Sequence, residues 1–167
     1  VILCNKPIKN DAVIKIEGIG IGAYGTYLGQ RETLTELYSV RDATNMALNM
    51  AHVSINDINL AEVHDTYSIL GILALESMGL VRPGETPRLL SMGALDVGNK
   101  LVVNASGGLK SMGFPGGASG MYEFVTMVME LTNTKPFDSL GRVERGIVQD
   151  MAGFDLVSTS IILKRVS

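Results

Sequence analysis

The chain has 167 residues, long enough for one α/β domain with a substantial core. Its 46% hydrophobic and 19% charged residues suit a soluble globular domain, and a net charge of −3 with no Lys/Arg stripe argues against a nucleic-acid surface. No run of about 18 apolar residues occurs, so no membrane span is expected. The single cysteine, Cys4, rules out an internal disulfide framework and points to a reducing, cytoplasmic compartment.

Val1-Ile2-Leu3-Cys4 reads as the second half of a buried strand, without an initiator methionine or a signal peptide. We therefore expect a piece of a longer polypeptide, with Cys4 as a small buried hydrophobe. Residues 13–22, VIKIEGIGIG, alternate as a strand that glycine weakens at its end. After an irregular polar loop, Ser39 and Asp42 are spaced as in a capping box. Ala43, Met46, Ala47, Met50 and Ala51 then supply the apolar face of a helix. Ser54 with Asp57 repeats the start signal for a short helical turn.

Residues 58–65, INLAEVHD, form a strand ending in the polar pair His64-Asp65. The next helix carries Ile69, Leu70, Leu73 and Met78 and stops at Gly79, ahead of Pro83. Residues 81–100 read as a long loop, and LVVN (101–104) as a short buried strand. A third helix starts near Ser119, with Met121, Phe124, Val125, Val128 and Leu131 on one face. Two strands, about 143–151 and 156–164, flank Ala152-Gly153-Phe154. This order predicts a layered α/β domain with a mixed β-sheet covered by helices, the last strand pair antiparallel.

Residues 107–120, GGLKSMGFPGGASG, hold six of the 19 glycines and lead into that third helix. Free N–H groups at a helix start can cradle an anion. No GKS or GKT follows, and G-x-G-x-x-G does not occur in a strand–turn–helix setting, so neither nucleotide pattern applies. Loop composition alone leaves an anion cradle and a tight structural connection equally open.

Residues 104–120, NASGGLKSMGFPGGASG, resemble the N-x-S-G-G-L-x-S-x-G-H-P-x-G-A-[ST]-G signature of the thiolase superfamily. Every fixed position matches except the His, which is Phe114. EVHDTY (62–67) is similar to the H-D-x-F motif of sterol-carrier-protein-type and archaeal thiolases, and VRPGETP to the loop that follows. The resemblance covers essentially the whole chain. It implies that residues 1–12 are the last strand and linker of an N-terminal half, and residues 13–167 the C-terminal domain.

The resemblance implies Claisen condensation or thiolysis of acyl-CoA thioesters, within lipid metabolism, by a full-length homodimer. Coenzyme A thioester is then the substrate, with no further cofactor and no metal. The acyl-accepting cysteine belongs to the family's N-terminal half, and Cys4 does not match it. His64 matches the His that helps form an oxyanion site. Phe114 replaces the base, and a phenyl ring neither takes a proton nor donates a hydrogen bond.

Thr66 stands where sterol-carrier-type enzymes place an acid/base cysteine, and Met151 where other thiolases place one in a C-x-G motif. The backbone N–H of Gly153 can still serve an oxyanion hole. Tyr67 replaces the motif's Phe and brings a hydroxyl, a weaker candidate acid. Gly107, Gly108, Gly113 and Gly117 are expected to form a backbone wall for the substrate. Asp65 is expected to orient local backbone, and His52 to lie on the surface.

Three outcomes remain open. One is an acyltransferase with altered or lost catalysis. Another is a thiolase-like aldolase acting on acyl-CoA side chains with an OB-fold partner. The third is a non-catalytic acyl-CoA-binding or scaffold subunit. The 167-residue piece by itself is expected to be inactive, since it holds neither nucleophile nor base.

Overall fold

A computed structural model of the chain describes residues 3–4, 14–25, 27–134, 136, 140 and 143–166. Its sheet has strands β1 (Ile14–Ala23), β2 (Leu60–Val63), β3 (Val102–Val103), β4 (Arg145–Ala152) and β5 (Val157–Arg165), in the order β1-β5-β4-β2-β3. β5 runs antiparallel to both β1 and β4, while β2 runs parallel to both β4 and β3. The sheet is therefore mixed, and its closing pair is antiparallel as the sequence order predicts. The helices are α1 (Tyr38–Ala51), α2 (Ser68–Ser77), α3 (Thr86–Ser91), α4 (Gly108–Met112) and α5 (Ser119–Leu131).

Strand alternation splits the core into two layers. Ala61, Val63, Ile147 and Ile162 face Val40, Ala47 and Leu48 of α1 and Leu70 and Leu75 of α2. Leu60, Val148 and Leu163 face the other way, onto Phe124, Met127 and Leu131 of α5.

Glycines in β1 serve the packing rather than merely weakening the strand. A Cβ on Gly18, Gly20 or Gly22 would overlap the carbonyl oxygen of Ala47, Ala43 or Ser39 respectively. α1 therefore lies directly on the strand backbone, and this selects small residues for its inner face. That face is Ser39, Val40, Ala43, Thr44, Ala47 and Leu48, while Met46 and Met50 are exposed, against the sequence expectation. The hydroxyls of Thr44 and Ser39 meet those of Ser160 and Ser158 at 3.1 and 3.0 Å. Polar pairs thus replace the apolar stripe expected there.

The start of α1 also differs. Ser39 is not its cap, because the helix begins at Tyr38 and Leu37 gives no side-chain cap. Asp155, from the β4–β5 turn, accepts instead from the N–H of Tyr38 (2.8 Å), the N–H of Ser39 (2.7 Å) and the Ser39 hydroxyl (2.5 Å). Asp42 bonds Arg41 on the surface. Ser54 and Asp57 do form the expected box, with the Ser54 N–H donating to Asp57 at 2.8 Å.

Within 81–100 the chain forms α3, started by Pro87 in the first turn. The glycine stretch contains α4 and a short 3-10 turn at Gly116–Ala118. Met121 is exposed rather than on the inner face of α5. Cys4 is exposed and outside any strand, because the described sheet begins only at β1. The rest of the expected first strand and linker (1–2 and 5–12) falls outside the described residues.

Candidate functional site

β2 and β4 are parallel neighbours, with Val63 opposite Gln149, so their C-terminal ends open onto one edge of the sheet. Such edges are where open α/β sheets bind ligands. His64 directly follows β2, and Asp150 to Ala152 end β4. Around them lie Thr66 and Tyr67 ahead of α2, the loop before α5, and the β4–β5 turn. Together they enclose a cavity of about 400 Å³, lined among others by His64, Tyr67, Phe114, Gly117, Gly153 and Phe154.

His64 is 4% exposed, and both its ring nitrogens are engaged. Nδ1 lies 2.7 Å from Asp150 Oδ1 and Nε2 2.7 Å from the Thr66 hydroxyl. Burial pushes the Asp150 carboxyl up. The hydrogen bond and charge of His64, the Met151 N–H and the Ser119 hydroxyl outweigh this and hold it below the usual range. An ionised carboxylate only accepts, so Nδ1 carries a proton. In the neutral ring Nε2 then accepts from Thr66. In that tautomer Nε2 has no proton to donate to a carbonyl oxygen, and only a donor group can compete with Thr66 for it.

Phe114 stands edge-on to His64, with ring centroids 5.8 Å apart and planes at 88°. The glycine loop and the H-D-x-Y segment, 50 residues apart in sequence, therefore meet at one cavity. Tyr67 stacks on Phe154 across the cavity mouth, centroids 5.6 Å apart. Met151 is buried, and its sulfur accepts the Asp155 N–H at 3.2 Å, so it braces the turn that carries Gly153 (φ 66).

Of the four glycines expected to form the substrate wall, Gly117 lines the cavity, joined by Gly116. Gly107, Gly108 and Gly113 are not among its lining residues. Gly107 (φ 89) and Gly108 (φ 67) start α4, and Gly113 (φ 87) ends it. A Cβ on Gly108 would overlap the Asp65 carboxylate, which accepts the Leu109 N–H at 2.7 Å. Asp65 thus orients local backbone, as expected. Asn104 opens the motif by bonding both the N–H (2.7 Å) and C=O (3.1 Å) of Val63, continuing the sheet where β3 stops. His52 is exposed at the end of α1.

A group of buried acids escaped the sequence reading: Glu62, Glu123, Glu130 and the half-buried Asp150. Burial, then the charges of Asp150, Glu62 and Asp65, push Glu123 up to about 9. Burial and the neighbouring Glu62 push Glu130 up to about 10, and burial also raises Glu62. The Ser106 hydroxyl donates to Glu62 at 2.7 Å, tying this group to the glycine loop. A signal was present. Glu123 and Glu130 are seven residues apart, on the same face of α5 as Phe124, Met127 and Leu131.

Among the described residues, no helix is long and apolar enough to cross a membrane. Residues 20–165 match the family described as thiolase C-terminal domain-like. The acetyl-CoA acetyltransferase of Methanothermobacter thermautotrophicus is 35% identical over 126 residues, which is 75% of this chain and 33% of that protein. Human sterol carrier protein 2 is 33% identical over 91 residues, 54% of this chain and 17% of that protein. Among solved structures, the Ltp2-ChsH2(DUF35) aldolase shares the fold, with a TM-score of 0.79 at 21% identity, over 92% of this chain and 40% of that one. The chain spans about a third of the acetyltransferase's length. With the family model matched along most of its length and the two motifs meeting at one cavity, this chain belongs to the thiolase superfamily, as its C-terminal domain.

Proposed function

We propose that the protein carrying this domain binds acyl-CoA thioesters at the cavity between His64, Phe114 and Gly153, with the family's ordinary acyl transfer altered or lost. The names of its relatives support the thioester, since one is an acetyl-CoA acetyltransferase. The observation that carries the altered chemistry is Phe114, whose ring lies 5.8 Å from His64 where the resemblance calls for a basic imidazole. General-base help is worth about 10²–10⁴-fold. Thr66 and Met151 hold no thiol to replace it. Gly153 keeps a backbone N–H at the cavity, and the ring of Phe114 adds an apolar wall for an acyl chain. A homodimer and a cytoplasmic location belong to the same reading.

The test uses the full-length protein, with acyl-CoA binding by calorimetry and thiolysis of acetoacetyl-CoA measured side by side. Binding without thiolysis is the expected result. Thiolysis at rates typical of thiolases overturns the altered chemistry, and absence of binding overturns the thioester.

A second reading, an aldolase acting on acyl-CoA side chains with an OB-fold partner, is favoured by Tyr67. Its hydroxyl-bearing ring lines the cavity, stacked on Phe154. In a retro-aldol step a phenol can relay the proton leaving the β-hydroxyl as the carbon–carbon bond breaks. Cleavage of a β-hydroxyacyl-CoA that is lost in Tyr67→Phe decides for this reading.

A further inference from the structure

Behind the cavity wall, Glu123 is 1% exposed, and neither of its carboxyl oxygens has a hydrogen-bond partner among the described residues. A buried polar group left this way is costly unless something completes it. It points toward His64 and Asp150: one ligand atom from each of the three lies within 4.8 Å of the others. Three chain segments converge here, the residue after β2, the second turn of α5 and β4, so the cluster is a product of the tertiary fold.

We propose that His64, Glu123 and Asp150 hold one divalent transition-metal cation at the floor of the cavity. A cation needs donors at about 2.0–2.2 Å, so these side chains have to draw together around it. One imidazole with two carboxylates suits Zn²⁺, Co²⁺ or Mn²⁺, whereas Mg²⁺ and Ca²⁺ favour oxygen donors alone. The surrounding charge is negative, with Glu62 and Asp65 adding to Asp150 around Glu123.

The supporting contacts that metal sites require are also present. Thr66 holds the imidazole's Nε2 at 2.7 Å, and the Ser119 hydroxyl reaches Asp150 Oδ1 at 3.4 Å. A Cβ on Gly120 would overlap the Asp150 side chain, so glycine there lets the carboxylate sit against the start of α5. On binding, the ring proton moves from Nδ1 to Nε2, which then donates to the Thr66 hydroxyl oxygen, Glu123 releases its proton to solvent, and the Nδ1–Asp150 hydrogen bond gives way to bonds from both groups to the ion. His64 and Asp150 both line the cavity, so an ion held by them would be reachable from it and would supply a Lewis acid for a carbonyl oxygen there.

This inference goes beyond the thioester reading and stands without it, because metal binding is measured directly. Full-length protein is stripped with a chelator and titrated with Zn²⁺, Co²⁺ and Mn²⁺ by calorimetry, alongside Glu123→Gln and Asp150→Asn. Glutamine keeps the shape and neutrality of a protonated carboxyl, and melting curves without metal confirm that each variant folds. The expected result is one equivalent bound by the wild type, with affinity at least about tenfold weaker in both variants. Cobalt should also give visible ligand-field bands in the wild type that weaken in Asp150→Asn. Absence of saturable binding by the wild type, or unchanged affinity in Glu123→Gln, overturns the proposal. A Glu123 that merely keeps its proton gives the first of those results.

Discussion

The Phe114 ring meets the imidazole of His64 edge-on, at 88° and 5.8 Å between centroids. On the proposed reading, this ring stands where the resemblance to thiolases calls for a base. In the full-length protein, Phe114→His should leave acyl transfer unrestored, since Thr66 and Met151 still supply no thiol. Phe114 is 57% exposed, so the stability cost should be about 1 kcal/mol or less. Acetoacetyl-CoA thiolysis and a thermal melt on both variants check this. A rate gain approaching 10²-fold would mean that Phe114 alone had silenced an otherwise complete site.

Asp150 orients His64 through a 2.7 Å hydrogen bond. Its folded-state pKa lies below the unfolded value, so its contribution is present above the ordinary carboxylate range and is lost as pH falls through the depressed folded value. Asp150→Asn should cost roughly 1.5–3 kcal/mol at neutral pH. The gap to wild type should close in strong acid. Denaturant midpoints at neutral and strongly acidic pH measure it, and a gap independent of pH would contradict the charge-assisted bond.

Glu130 behaves in the opposite sense. Its folded value near 10 lies far above an unfolded glutamate near 4.3, so it favours the fold below that unfolded value and opposes it increasingly as pH rises toward 10. Glu130→Gln should therefore match wild type near pH 4 and melt higher than wild type near pH 9. Parallel melting curves across pH 4–9 would show that Glu130 is ionised in the fold.

Asp155 ties the turn beside the cavity to the rest of the domain. It pairs with Arg31 Nη2 at 2.5 Å while capping α1, and the two side chains are 0% and 3% exposed. Arg31 also donates to the Glu36 carbonyl and lies against the rings of Tyr24 and Tyr38. Asp155→Ala leaves a buried guanidinium unpaired and should cost about 3–5 kcal/mol. Pairing it with Arg31→Met should cost less than the sum of the single changes, which a double-mutant cycle by chemical denaturation reads directly.

Gly20→Ala places a methyl group onto the Ala43 carbonyl. The expected loss is about 1–3 kcal/mol, because α1 has to lift from β1. An unaffected melting temperature would show that the helix and strand are not held in backbone contact.

The two motifs, the strand order from β1 to β5, the three longer helices and the mixed sheet were legible in the sequence, whereas α3 and α4 lie in stretches that read as loops. Each rests on local chemistry or on periodicity: NASGG and GASG demand particular turns, and LAEV and SIILK alternate or run apolar as buried strands do. Other features depended on which surfaces meet. Met46 and Met50 fit an apolar helix stripe until glycines in β1 brought backbone close enough to prefer Ala43 and Ala47. Ser39 looked like a cap, yet the capping carboxylate comes from Asp155, 116 residues away. Glu123, Asp150 and His64 become one cluster only because β2 and β4 run parallel and α5 starts over their ends. Periodicity reports what a residue's own segment prefers, and it carries no information about partners that loop closure brings together from across the chain.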